Sequence, residues 1–250
     1  MQEEPGNCIK KPSRRLPIMK LSTRSLPRSI AAAVLFSLAL VITTVAGPPL
    51  ICHPFDIGNA KSLPWVSDGW NLSGNENYDT KALARDTLAI LDANPPVIVR
   101  METLRRATLY ARKDPLAAKE LLTKLHARAN RAETAGHPDA FALFDLGYLV
   151  ATYKEWMGKD QNPAAGFDGY KLVSNALALH KPDPEMEFAA ALITLHGPEK
   201  DHLEHVQKAV EGSRTDDLLA RNLASHFMGN EKHAALEEPA KNTSAKRAVK

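Results

Sequence analysis

Cysteine is almost missing from this chain: 250 residues include only Cys8 and Cys52. A disulfide-stapled scaffold is thereby excluded, and stability has to come from packing, for which a chain of this length buries enough surface. Aromatic residues are scarce too, at 6%, which disfavours a sandwich or barrel built from aromatic and β-branched strands. The sequence also has no P-loop, no dinucleotide-binding glycine fingerprint, no G-x-S-x-G elbow and no HExxH pair. Motifs therefore name no reaction class, catalytic residue or cofactor.

Positive charge is scarce where a nucleic-acid binder would need it. The formal net charge is +3, but residues 1–46 hold seven of the 32 Lys and Arg and only two of the 29 Asp and Glu. Residues 47–250 are left with 25 basic and 27 acidic side chains. Phosphate neutralisation supplies most nucleic-acid affinity, so a weakly acidic body argues against such a partner.

One long apolar run is present. After Lys20, Arg24 and Arg28 the chain is uncharged through residues 29–52, with the apolar heart at 30–46. A basic flank, an apolar centre and a small-residue exit at Thr44 and Ala46 describe a signal peptide cut before Gly47. The rival reading is an uncleaved transmembrane helix over residues 29–51, anchoring the protein in the inner membrane. Either way the basic flank stays cytoplasmic and the body is expected in the periplasm or beyond it, secreted. Membrane contact would then be limited to this N-terminal segment. A start at Met19 keeps all three basic residues ahead of the run and gives a more compact leader.

The exported part divides into three. Residues 47–78 are rich in Pro, Gly, Asn and Ser and show no period, which predicts extended and turn backbone. Phe55, Leu63, Trp65 and Trp70 are too apolar for a free linker and predict docking on the body. Residues 79–228 step by threes and fours almost throughout, predicting eight helices in antiparallel hairpins and an all-α fold, either an α-solenoid or an irregular bundle. Asp114-Pro115 and Pro95-Pro96 mark helix starts and Gly136 an end. The helix over 139–156 is apolar on nearly every side and belongs at the centre. The one charge between Ala140 and Thr152, Asp145, is expected to be structural or solvated. Residues 229–250 hold too few apolar side chains to bury a face and predict a disordered tail.

Two resemblances add to this. Ala176-Leu177-x-Leu179 followed by Pro182-Asp183-Pro184-Glu185 resembles the end of a tetratricopeptide repeat and the turn into the next. Ala209-Val210 recurs 33 residues after Ala176-Leu177, against a family period of about 34. Lys113-Asp114-Pro115 and Leu146-Gly147 look like further pieces of such repeats, so the likeness spans residues 97–212 in degenerate form. It implies a TPR-like scaffold that presents a groove to a protein or peptide. The stretches ICHPFDIGNAKSLPW and DPEMEFAAAL are similar to a family of exported bacterial proteins, a likeness that implies export and helical structure but no activity.

Candidate chemistry is confined to a few side chains. His202 and His205 lie three apart on one expected helix, and paired imidazoles can hold zinc or copper, so they are the candidate metal ligands. Glu199, Asp201 and Glu204 interleave with them, which makes a solvated helix face their expected place. The Cys52-His53 pair is the one thiol candidate. The function these features favour is an exported helical scaffold binding a protein or peptide, without catalysis. The alternative is a metal- or thiol-dependent enzyme.

Overall fold

The computed structural model describes residues 49–66, 72 and 74–227. Among these residues there are nine helices and no strand. They are α1 (Pro49–Cys52), α2 (Leu83–Asp92), α3 (Val97–Ala111), α4 (Pro115–Thr134), α5 (Ala140–Trp156), α6 (Gly169–Leu179), α7 (Pro184–Ile193), α8 (Glu199–Gly212) and α9 (Asp217–Phe227). The all-α expectation holds. The leader, Trp70 and the tail over 229–250 lie outside the described residues, and so does most of the apolar run. Among the described residues no helix is long and apolar enough to cross a membrane. Leu50 and Ile51, the last residues of the expected anchor over 29–51, are 1% and 0% exposed and belong to the protein core.

Local chemistry explains the helix starts. Asp114, Asp139, Asp168 and Asp183 each sit at an N-cap in extended backbone and accept hydrogen bonds from amides of the first turn of α4, α5, α6 and α7. Capping of this kind contributes about 1 kcal/mol each. Pro115 and Pro184 follow two of these caps, at the position where a missing N–H is harmless. Gly136, at φ 74°, closes α4 in the left-handed region that favours glycine. α3 has Pro96 at its cap and no side-chain bond of its own. Its Ile98 amide instead donates to Glu185 Oε2 at 3.0 Å, from the first turn of α7.

α5 is central, as its apolar circumference demands. It packs most closely with α6 and also supports α3 and α4, while α7 pairs with α8 and α2 covers α3 and α4. The α5–α6 crossing is a backbone contact. A Cβ on Gly147 would lie 2.9 Å from the Gly169 carbonyl oxygen, and one on Gly169 would lie 2.7 Å from the Gly147 carbonyl oxygen. The connection between these helices, residues 157–168, is a long irregular loop.

α3 is as buried as α5, which its composition hides. Every residue of α3 except Arg106 is buried, including Arg100, Glu102 and Arg105. Glu102 accepts the Phe55 amide at 3.0 Å, Arg105 Nη1 at 3.1 Å and Arg106 Nε at 2.7 Å. Arg105 Nε donates to the Ile51 carbonyl at 2.8 Å, and Arg106 Nη1 to the Leu63 carbonyl at 2.7 Å. One carboxylate and two guanidiniums thus hold the backbone of the segment that the sequence marked as irregular. Trp65 lies against Tyr110 and within cation–π distance of both arginines, and Gly74 packs on both rings. The expected docking is present for Phe55, Leu63 and Trp65.

α9 meets the same segment. Asp56 donates its amide to Asn222 Oδ1 at 2.9 Å, accepts Asn222 Nδ2 at its carbonyl, and pairs with Arg221 at 2.7 Å. Phe55 stacks on His226 with ring centroids 4.6 Å apart. Burial of His226, first among the causes, pushes its imidazole down to about 4.

Replacing Glu102 with Ala leaves the Phe55 amide and the buried Arg105 guanidinium without their shared acceptor. The expected loss is about 3–5 kcal/mol, the range for breaking a buried pair, read as a shift in the urea midpoint at unchanged slope. A loss below 1 kcal/mol would show that the cluster does not hold the segment.

Stability should also depend on pH through Glu155, which accepts the Leu50 amide at 3.1 Å. Burial raises its pKa from 4.5 to about 8, against the opposing Leu50 hydrogen bond. The folded state therefore keeps a proton that the unfolded chain releases above pH 4.5. This contribution is full below that point and declines as pH rises toward 8. In Glu155→Gln that decline disappears, so urea titrations at pH 5, 7 and 9 should show the variant gaining on the parent as pH rises. A constant difference across the three values would refute this.

Candidate functional site

The two histidines singled out in the sequence are not on a solvated face. His202 is 4% exposed and His205 is 9% exposed. Both sit on the stripe of α8 that also carries Val206 and Ala209 and turns into the body, while Glu199 and Glu204 face out. His202 Nδ1 donates to the Ala191 carbonyl at 2.9 Å. His205 Nδ1 meets Glu187 Oε2 at 2.5 Å, and a carboxylate there fixes Nδ1 as the donor. In the neutral ring Nε2 then accepts from the Tyr170 hydroxyl, 2.9 Å away. Lys208 closes the other side of Glu187 at 3.5 Å.

Carboxylate, imidazole and phenol in series can carry a proton, and the same arrangement clamps α8 to α6 and α7. Both ring nitrogens of His205 are engaged, so metal ligation would require breaking one of these bonds. Among the described residues no three His, Cys, Asp or Glu side chains come together as a metal site. Cys52 is fully buried, so it presents no thiol at the surface to act as a nucleophile.

Asp145 is structural. It is wholly buried and receives Arg100 Nη1 at 2.7 Å and Arg128 Nη1 at 3.0 Å on the same oxygen, Oδ2. Burial raises its pKa to about 6 against the pull of the two guanidiniums. Arg100 is further tied to the Pro95 carbonyl and the Asn94 side chain, at the turn between α2 and α3.

Arg128 leads from this buried pair to the surface. Its Nη2 reaches Asp92 Oδ1 at 3.4 Å on the outer edge of α2. Between α2 and α4 lies an open groove of about 570 Å³, lined by Leu88, Asp92, Lys124, Ala127, Arg128 and Arg131. Leu88 and Ala127 supply apolar surface, and three cations face one carboxylate. Sequence reading passed over these residues. The signal was present, since Lys124, Arg128 and Arg131 recur at four and three residues and so share an edge of one helix.

Set beside known proteins, the chain finds no significant match among protein-family models, curated proteins or solved structures. The functional reading therefore rests on an all-helical body with an open cationic groove.

Removing the two α8 histidines should cost far more than a surface change. His205→Ala strips Glu187 of its closest partner, a hydrogen bond to a charged group worth roughly 1.5–3 kcal/mol, and His202→Ala opens a cavity beside Phe227. The double variant should therefore lose at least about 2 kcal/mol in urea unfolding, with no change in metal content. A loss within 0.5 kcal/mol, the usual range for surface substitutions, would put both rings back in solvent. Loss of a stoichiometric zinc or copper ion would restore the metal reading.

Proposed function

We propose that this protein is a non-catalytic helical scaffold that acts outside the cytoplasm and binds a peptide segment of a partner protein between α2 and α4. The observation that carries the reading is the groove itself. It is open to solvent, lined by Leu88 and Ala127 beside its cations, and bordered by two helices tied to the core through α3 and the Arg100–Asp145–Arg128 network. A rigid wall on each side lets a flexible segment bind without reordering the receptor, which lowers the cost of association. The apolar run behind a basic flank supports export, and the tetratricopeptide-like spacing over 97–212 supports a scaffold.

Ala127 is exposed on the outer face of α4, so Ala127→Trp fills the groove without touching the core. Panning the purified protein against a displayed random-peptide library should enrich a recognisable sequence class. Affinity for peptides of that class should fall at least tenfold in Ala127→Trp, with unchanged unfolding. Failure to enrich any class, or equal binding by the variant, would overturn the proposal.

A further inference from the structure

On the reading that this groove is the binding surface, we infer that its occupant is an acidic peptide segment, two or more carboxylates flanking an apolar side chain. The first ground is charge. A body with 25 basic and 27 acidic residues over 47–250 presents Lys124, Arg128 and Arg131 against Asp92 alone at this one groove.

The second ground is how little each cation gives up. Arg128 shares Asp145 with Arg100, so the two guanidiniums keep one net positive charge, and the outer partner Asp92 is held at 3.4 Å with a side chain 62% exposed. A ligand carboxylate can take the place of Asp92 while the inner pair stays intact. Among the described residues Lys124 pairs only with Glu120, four residues back on the same exposed edge, a contact of a kind that contributes a few tenths of a kcal/mol. Arg131 forms no ion pair among the described residues; its Nε makes a long 3.4 Å bond to the Ala127 carbonyl.

The third ground is spacing. Rises of 1.5 Å per residue spread these three cations over about 10 Å of helix. A single phosphate needs donors that converge within hydrogen-bonding reach, whereas separated carboxylates match a strip. Glutamates three or four apart on a helix, or two apart on an extended chain, repeat at about 5–7 Å and fit it. An apolar side chain between them falls on Leu88 and Ala127.

The test uses the purified protein and three labelled synthetic peptides of equal apolar content, carrying Glu, Gln or Lys at the flanking positions, read by fluorescence anisotropy. The Glu peptide should bind about tenfold tighter than the Gln peptide, with affinity falling as salt rises and the Lys peptide weakest. In the double variant Lys124→Glu and Arg131→Glu, both at exposed positions, the order of Glu and Lys peptides should reverse. Equal binding of Glu and Gln peptides, still abolished by Ala127→Trp, would overturn the acidic inference and leave the groove standing. Binding indifferent to Ala127→Trp would remove the groove as well. Displacement of the Glu peptide by millimolar inorganic phosphate would mark a simple anion site and overturn the peptide assignment. So would self-association of the protein that the Glu peptide does not disturb and the double variant abolishes.

Discussion

Three side chains on α3, Glu102, Arg105 and Arg106, turn an irregular segment into part of the core. Backbone without regular structure cannot enter a protein interior unless its amides and carbonyls find partners. Here a carboxylate takes the Phe55 amide and two guanidiniums take the Ile51 and Leu63 carbonyls. Glu102 pairs with both guanidiniums, the kind of pairing that lets buried ions be tolerated, while the buried Arg105 Nη2 has no hydrogen-bond partner among the described residues. Phe55 and Leu63 can then close over α3, which is why that helix is buried on all sides and why α5, beneath it, has no exposed face to speak of.

The same economy appears at the ends of helices. Glu185 caps α3 across 87 residues of chain, and Arg100 ties the α2–α3 turn to Asp145 on α5. Arg128 extends that tie to the rim of the groove. The surface proposed to bind a partner is thus backed by a buried polar network that joins α3, α4 and α5 through Arg100, Asp145 and Arg128.

What the sequence disclosed follows from the range of the interactions. Helix positions were legible because Asp-Pro caps, Pro95-Pro96 and Gly136 act on neighbours within a turn. α5 was legible because its apolar circumference has one physical solution. The buried charges of α3 were not, since Arg100, Glu102 and Arg105 look like a solvated face until their partners, distant in the chain, are in place. His202 and His205 were misplaced for a different reason. Their acidic neighbours drew attention, although the spacing 202, 205, 206, 209 already described an inward stripe. The groove residues were legible as a basic edge on α4, but only the approach of α2 makes that edge into a concavity.

The meeting of Phe55 and Asp56 with Asn222 and His226 bears on the order in which the molecule can be made. A ribosome delivers residue 55 long before residue 222, and the loop between them costs about 4.5 kcal/mol to close on length alone. The segment held by α3 stays unsealed on its outer side until α9 has been synthesised. Until α9 emerges, the backbone amide and carbonyl of Asp56 are without the Asn222 side chain that later pairs with both, so closing this contact falls to the last part of the described fold to be made.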